Sequence, residues 1–259
     1  MGALWWGLSV LALLSTAPAA AEPRRSGFDF MSPATQAMQR DDTANPAFLW
    51  VQEGQRRFAA DCQRCHQPQA PNGALQAPNG APQALKGVAA RYPAWDERLS
   101  QPLTLVGRIR QCQQRHVKGP ELPYESEALL GLEAYVAKAS RGLPIAPPTD
   151  PRLDVARQRG EQIWRQPLGQ LRLSCAQCHD AQAGRRLGGS AIPQGHPTAY
   201  PVYRLEWQGV GSLERRLRHC QSGVRAEPWA YGSEELVALQ LYLARRAAGM
   251  TVESPGVRP

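Results

Sequence analysis

The 259-residue sequence predicts an all-α fold, built as a tandem of two similar domains that arose by internal duplication. The segment RIRQC (Arg108–Cys112) recurs in the second half as RLRHC (Arg216–Cys220). YESEALLGLEAYVA begins at Tyr124, and the related YGSEELVALQLYLA begins at Tyr231. Apolar residues in both stretches follow helical spacing, and no strand-like alternation is persuasive. A repeat of this length indicates tandem domains rather than a solenoid.

The first 21 residues, MGALWWGLSVLALLSTAPAAA, form a short apolar run that ends in small residues. This pattern predicts a secretory signal peptide cleaved after Ala21. The run is too short to cross a bilayer comfortably, and no later stretch is apolar enough to do so. The sequence therefore predicts an exported protein without a membrane span.

Each half is predicted to begin and close with a helix. The opening helices are Phe48–Ala60 and Asp154–Trp164, and the closing helices are Glu125–Ala139 and Glu234–Arg245. Ser126 and Ser233 stand where N-cap residues are expected. A proline-rich linker, GLPIAPPTDP at 142–151, separates the halves. We therefore predict an N-terminal domain at 22–145 and a C-terminal domain at 146–259.

The formal net charge of +8 comes mostly from arginine and favours an anionic partner. Nucleic acid would satisfy the charge alone, but export argues against it. Six cysteines in an exported chain suggest disulfides by default. The spacing of these cysteines instead indicates haem attachment.

Four of the six cysteines lie in two C-x-x-C-H motifs, CQRCH at 62–66 and CAQCH at 175–179. This motif attaches c-type haem: its two thiols bind the vinyl groups, and its histidine is the proximal iron ligand. A zinc site built from both motifs would enclose far more residues than usual and leave both histidines unexplained. The sequence therefore predicts two covalent c-type haems in cytochrome c-like domains. The predicted attachment and proximal residues are Cys62, Cys65, His66, Cys175, Cys178 and His179.

The two remaining cysteines, Cys112 and Cys220, occupy matching positions after the haem motifs. A disulfide between them would join equivalent sites of two separate domains, so we predict instead that each is the distal ligand of one haem iron. The arginine four residues before each cysteine would stabilise the thiolate. No methionine lies between a haem motif and its closing helix, and Met250 lies beyond the last helix. The other histidines do not match between the halves and are expected at the surface: His116, His196 and His219.

Three features together resemble the SoxA family, the dihaem cytochrome subunit of the SoxAX complex of periplasmic thiosulfate oxidation. They are RSGFDFMSPATQAMQRDDTANPAFLWVQEG at 25–54, the two haem motifs, and RRLRHCQSGVRAEPWAYGSEEL at 215–236. The similarity covers nearly the whole chain after the leader. It implies an L-cysteine S-thiosulfotransferase that joins thiosulfate oxidatively to a cysteine of the carrier protein SoxYZ. The partner would be the small cytochrome SoxX, and two electrons would pass singly to a c-type cytochrome.

The resemblance also assigns roles to residues. Cys220 would be the active-site residue, carried as a persulfide, and the distal ligand of the second haem opposite His179. Arg216 would bind the substrate, and His66 with Cys112 would hold the first haem. Residue chemistry agrees for Arg216, because thiosulfate is a dianion and arginine makes paired charge-assisted hydrogen bonds. Arg218 and Arg225 are further candidates, whereas Arg215 and Arg218 could also be ordinary surface charge.

Two other functions remain open from the sequence. One is a thiosulfate dehydrogenase that forms tetrathionate, although such enzymes usually keep a methionine ligand at the second haem. The other is an electron-transfer dihaem cytochrome without a substrate, for which methionine or histidine distal ligands and no arginine cluster are expected. Residue type alone does not decide between the two cysteine sites, because Arg108 precedes Cys112 as Arg216 precedes Cys220.

Overall fold

The computed structural model describes residues 23–66, 83–117 and 119–259. The predicted signal peptide lies outside this range. The α-helices of the described residues are α1 (Pro33–Arg40), α2 (Phe48–Arg57), α3 (Gln63–His66), α4 (Leu105–His116), α5 (Glu127–Lys138), α6 (Asp154–Arg165), α7 (Cys175–His179), α8 (Leu213–Gly223) and α9 (Glu234–Arg246). A π-helical turn, Phe58–Cys62, links α2 to α3. None of these helices is both long enough and apolar enough to cross a membrane.

Two helix pairs form the core of the molecule, α2 with α5 and α6 with α9. Val51, Phe58 and Leu132 are buried in the first pair, and Ile163 and Trp164 in the second. Ser126 and Ser233 cap α5 and α9 by accepting hydrogen bonds from the backbone N–H groups of the first turn. The four predicted helices and the all-α duplicated fold are thus confirmed.

The helices of each pair approach closely because glycine lies at the crossing. A Cβ atom on Gly54 of α2 would overlap the carbonyl oxygen of Gly131 in α5. A Cβ atom on Gly160 of α6 would overlap the carbonyl oxygen of Ala238 in α9 in the same way. The two halves therefore share their packing geometry as well as their order of elements.

The expectation that no strands would form was wrong in detail. The strands are β1 (Ala94–Asp96), β2 (Gln101–Leu103), β3 (Arg186–Leu187), β4 (Ser190–Ala191), β5 (Val202–Arg204), β6 (Gly209–Gly211) and β7 (Gly256–Arg258). Hairpin β1–β2 leads into α4, and hairpin β5–β6 leads into α8. Such short strands cannot produce an alternating sequence pattern, so they left no signal in the sequence.

The strand β7 joins β5 in parallel and holds the beginning of the described chain against its end. Asn45 donates a side-chain hydrogen bond of 3.0 Å to the carbonyl oxygen of Pro255. Gln39, on α1, accepts a bond of 3.0 Å from the backbone N–H of Val257. Residues 23–47, assigned by the sequence to the first domain, therefore contact the last strand of the second half.

A stack of four side chains, the tyrosine stack, joins the two halves. Tyr124 and Tyr231 lie face to face, with ring centroids 5.4 Å apart and an interplanar angle of 14°. The guanidinium of Arg110 lies 4.1 Å from the Tyr124 ring centroid, and that of Arg218 lies 4.4 Å from the Tyr231 centroid. Each half supplies one arginine and one tyrosine at equivalent repeat positions, so the stack is pseudosymmetric.

Candidate functional site

The second C-x-x-C-H motif forms the short helix α7. Ser174 caps it through a capping box with Gln177, which fixes the orientation of the first turn. His179 Nδ1 lies 2.7 Å from the carbonyl oxygen of Pro193. Because a carbonyl can only accept, Nδ1 carries the proton and Nε2 keeps its lone pair free for a metal.

A partly buried group of side chains surrounds the ring of His179. The Trp164 ring stacks on the His179 ring, with centroids 5.7 Å apart. Trp164 Nε1 donates to a carboxylate oxygen of Asp180 at 2.8 Å, and Arg246 donates to the other oxygen at 2.8 Å. The Arg246 guanidinium also covers the Trp164 ring at 4.4 Å. These contacts limit the freedom of His179 and define its orientation.

Cys220 lies on α8 and faces α7, where its thiol interacts with His179. Burial alone would raise the pKa of this thiol. The contact with His179 and the positive charges of Arg216 and Arg204 outweigh burial, so the pKa lies below its ordinary value. The structure thus brings together the predicted proximal histidine and the predicted distal cysteine of the second half.

Arg216 lies on α8 one helical turn before this thiol, and its charge acts on it. In the described part of the chain, no carboxylate lies within salt-bridge distance of its guanidinium, which contacts His219 Nδ1 at 3.4 Å. Arg215 and Arg218 are partly buried rather than fully solvated: they stack on Trp207 and Tyr231, respectively. Arg225 is exposed. Arg216 is therefore a cation available for an anionic ligand.

The first half has the same elements but a different charge arrangement. Arg108 forms an ion pair of 2.6 Å with Asp96, whose side chain is 2% exposed, and donates to the Tyr92 hydroxyl at 3.2 Å. Burial raises the pKa of the Cys112 thiol, and the arginines Arg108 and Arg115 do not reverse this. The arginine that corresponds to Arg216 is therefore already neutralised, which separates the two cysteine sites where residue type could not.

Arg204, at the end of β5, was missed by the sequence analysis. Its positive charge acts on Cys220, and its side chain is 13% exposed. A signal for it did exist. The segments 92–112 and 200–220 align without a gap, and this alignment places Arg204 opposite Asp96.

The other candidate ligands lie elsewhere. His219 is on the exposed face of α8, and Met250 packs against Val252 and Ala247 in a separate apolar cluster. All six cysteines are free, so no Cys112–Cys220 disulfide forms. In the three described ranges, no group of three or more histidine, cysteine, aspartate or glutamate side chains could hold a bare metal ion.

The donor set of the second half fits a c-type haem. The two thiols of the C-x-x-C-H motif are free. His179 Nε2 is available as a ligand, and the Cys220 thiol contacts His179 from another helix. Burial raises the pKa of the Cys175 thiol to about 12, so it is protonated until it forms its thioether. In the first half, burial raises the pKa of Cys62 to about 11, and the ring centroids of Phe58 and His66 lie 5.8 Å apart. Residues 67–82, which follow that motif, lie outside the described ranges.

Comparison with known protein families gives one match that covers most of the chain. The family model described as SoxA/TsdA, cytochrome c domain, matches residues 49–145 and again residues 159–252. The two matched segments correspond to the two halves of the repeat, and each contains one C-x-x-C-H motif.

Individual relatives agree with this match. The chain is 31% identical over 241 residues to the L-cysteine S-thiosulfotransferase subunit SoxA of Rhodovulum sulfidophilum, which covers 90% of this chain and 80% of the relative. It is 30% identical to the subunit of the same name from Pseudaminobacter salicylatoxidans over the same shares. The crystal structure of SoxXA from P. pantotrophus superposes with a TM-score of 0.82 at 27% identity, covering 91% of this chain and 87% of that one.

Proposed function

Because the chain belongs to the SoxA/TsdA cytochrome c family, we propose that it is an L-cysteine S-thiosulfotransferase: the catalytic dihaem subunit that joins thiosulfate to a cysteine of the carrier protein SoxYZ. This proposal rests on one observation: His179 and the available cation Arg216 both lie close enough to Cys220 to act on its thiol. A plain electron-transfer cytochrome has no use for such a cation beside a thiol of lowered pKa.

The covalent chemistry has two steps, an oxidative formation of a sulfur–sulfur bond and a transfer to the carrier. The outer sulfur of thiosulfate bonds to the terminal sulfur of Cys220, which we propose is carried as a persulfide, and this oxidation releases two electrons. The carrier's cysteine thiolate then attacks the same outer sulfur. The bond to Cys220 breaks, Cys220 recovers its anionic terminal sulfur, and the carrier leaves with an S-thiosulfonate group. The net reaction consumes thiosulfate and one thiolate and delivers two electrons to a c-type cytochrome.

The side chains of the second half have separate tasks in this reaction. Arg216 binds and orients the sulfonate, since a guanidinium pairs well with such oxyanions. The positive charges of Arg216 and Arg204 act on Cys220 and favour an anionic sulfur there. His179, oriented by the Pro193 carbonyl and by stacking on Trp164, would hold the haem iron.

Covalent c-type haem is the cofactor of this cytochrome c family, and its iron accepts one electron at a time. We propose two haems, attached at Cys62 and Cys65 and at Cys175 and Cys178. His66 with Cys112, and His179 with Cys220, would be the axial pairs. The first centre would then serve electron transfer, because Arg108 is already paired with Asp96.

The partner and location follow from the same family membership. The solved relative is a SoxXA complex, which supports a heterodimer with the cytochrome SoxX. The predicted signal peptide and the covalent haem support the periplasm as the site of action. Haem attachment to both motifs and the mass of the mature chain would check these assignments directly by intact-mass spectrometry.

The function is tested with the purified complex, thiosulfate, SoxYZ and oxidised c-type cytochrome. We expect the carrier to gain one thiosulfonate group, by mass spectrometry, for every two cytochromes reduced. Cys220→Met should abolish transfer while both haems stay attached, because their thioether bonds do not involve Cys220. Cys112→Met, the matched change in the first half, should keep measurable transfer.

Other outcomes contradict the proposal. Tetrathionate as the product, with no modification of SoxYZ, would identify a thiosulfate dehydrogenase. Full transfer by Cys220→Met would remove Cys220 from the reaction. No thiosulfate-dependent cytochrome reduction at all would leave electron transfer alone as the function.

A further inference from the structure

The two halves can be compared position by position around the distal cysteine. When the two cysteines are aligned without a gap, Tyr92 corresponds to Tyr200, and Arg108 corresponds to Arg216. Each tyrosine lies two residues before the first strand of a hairpin, and each arginine lies on the helix that follows that hairpin. The residue at the end of the first strand is Asp96 in one half and Arg204 in the other. A negative charge has thus been exchanged for a positive one at an equivalent position.

The first half shows which group this position faces. Asp96 closes strand β1 and reaches Arg108, the arginine one turn before the cysteine, with a distance of 2.6 Å between the charged atoms. Arg204 closes strand β5 at the equivalent point of the hairpin that precedes α8. The second half therefore directs two guanidinium groups at the region where the first half has a neutral ion pair.

Arg204 is only partly satisfied by the chain. It contacts Glu206 at 2.7 Å, but that carboxylate is 51% exposed, so water weakens the pairing. The guanidinium also lies 5.2 Å from the Trp207 ring centroid. Its Nε–H is buried and has no hydrogen-bond partner among the described residues. A buried donor without an acceptor is costly, which indicates that an acceptor from outside the chain belongs there.

The charges of the two arginines oppose each other. Burial lowers the pKa of Arg204, and the positive charge of Arg216 lowers it further. The one carboxylate that pairs with either cation, Glu206, is exposed to water. An oxyanion that contacts both guanidinium groups would relieve their mutual repulsion, and planar guanidinium groups match the oxygen geometry of a sulfonate.

We propose that Arg204 is a second substrate-binding residue, which together with Arg216 holds the sulfonate of thiosulfate and makes the site specific for a doubly charged sulfur oxyanion. This inference rests on the proposed function. It also assigns a role to the difference between the halves: the aspartate that neutralises the first site is replaced by the arginine that charges the second. A haem propionate is the other oxyanion that could meet Arg204, and the experiment separates the two.

The test uses the haem-loaded complex with SoxX, without carrier or electron acceptor, and measures the thiosulfate Kd by calorimetry. Arg204→Gln should weaken binding on the order of ten-fold or more, as expected for losing a charge-assisted hydrogen bond. Arg204→Lys keeps the positive charge but loses the paired N–H donors of the guanidinium, so it should restore part of the affinity. Arg56→Gln removes the same charge from an arginine that is 75% exposed on α2 and should leave the Kd unchanged. In turnover, Arg204→Gln should raise KM much more than it lowers kcat.

Haem content and the absorption spectrum are recorded for every variant. An unchanged Kd in Arg204→Gln with intact haem would overturn the inference. Loss of haem or a shifted spectrum with an unchanged Kd would assign Arg204 to the haem and overturn it as well. If Arg204→Gln does not assemble, Arg204→Lys decides, and a Kd within about two-fold of the wild type counts against the inference.

The outcomes also separate this inference from the proposed function. If the wild type transfers thiosulfate to SoxYZ but its affinity does not depend on Arg204, the inference fails and the function stands. If thiosulfate binds through Arg204 yet no transfer occurs, the function fails and the inference stands. A wild type that does not bind thiosulfate overturns both.

Discussion

At the scale of single residues, Glu133 on α5 is a buried ionisable group outside the haem motifs. It is 7% exposed, and its Oε2 has no hydrogen-bond partner in the described residues. Burial raises the pKa of this carboxyl well above its ordinary value, and the nearby Glu125 and Glu214 raise it further. The folded protein therefore keeps the proton of Glu133 to a higher pH than the unfolded chain does.

This burial predicts how stability depends on pH. Above about pH 4.3 the unfolded chain releases the proton of Glu133, whereas the folded protein retains it. The contribution of this group to stability therefore falls as pH rises from that value towards the raised folded pKa. Glu133→Gln should reduce the decrease in the free energy of unfolding as pH rises. It should also make the protein more stable at pH 7, as measured by urea unfolding across pH. Glu227→Gln, at an exposed glutamate, should keep the wild-type slope, and equal slopes in all three proteins would refute the prediction.

The residues of the site differ in how readily a sequence reveals them. The predicted haem cysteines and histidines follow from a fixed local spacing, and the predicted role of Cys220 follows from its match with Cys112. The role of Arg204 depends on what faces it, and that is set by the folding of a hairpin onto a helix. Nothing in the local sequence YRLEW marks its arginine as different from the other arginines of a basic chain.

At the scale of elements, the glycine crossings explain why two short helix pairs can support the fold. Gly160 lets α6 approach α9 until the backbones touch. The contact places Trp164, one turn further along α6, against His179. The crossing therefore affects the position of His179 as well as the core.

Gly160→Ala tests this crossing. Alanine normally stabilises a helix by up to about 1 kcal/mol relative to glycine. Here the added Cβ would overlap the Ala238 carbonyl oxygen, so we expect a net loss of about 1–3 kcal/mol in the free energy of unfolding. Gly223→Ala, at the end of α8 with no neighbouring atom within 4 Å of its Cβ position, should be neutral or stabilising. A stabilised Gly160→Ala protein would show that the helices can separate without cost.

The helices α2, α5, α6 and α9 were predictable because each buries an apolar face over several turns, and α5 and α9 also carry serine caps. The hairpins were not, because very short strands are defined by partners rather than by pattern. The same applies to strand β7, whose pairing with β5 joins residues far apart in the sequence. Sequence periodicity reports on a single element, whereas these features depend on two.

At the scale of the whole molecule, the tyrosine stack is the most symmetric contact between the halves. Tyr124 and Tyr231 present their faces to each other, and an arginine covers the outer face of each ring. Gly232 lies so close to the Tyr124 hydroxyl that a Cβ there would overlap it. Nearby, Glu125 accepts a hydrogen bond of 2.5 Å from Ser212, the cap of α8. The stack therefore links the helix that carries Cys220 to the first half.

A double-mutant cycle would measure this link. Tyr124→Ala and Tyr231→Ala should each destabilise the protein, and the double variant should lose about 1 kcal/mol less than the sum of the two. Tyr124→Phe keeps the ring and should retain most of the coupling. Denaturant unfolding gives the free energies, and strictly additive losses would mean that the rings do not support each other.

The contact between the beginning and the end of the described chain also bears on how the protein folds. Gln39 and Val257 are separated by 218 positions, and Arg24 bonds to the Ala248 carbonyl across 224. Closing a loop of this length costs conformational entropy before the contact contributes any favourable energy. Such contacts therefore form late in folding. Strand β7 lies beside β5, the strand that ends in Arg204. The helix pairs can therefore assemble early from contacts of shorter range, whereas the surroundings of Arg204 acquire their final shape only when the beginning and the end of the described chain have come together.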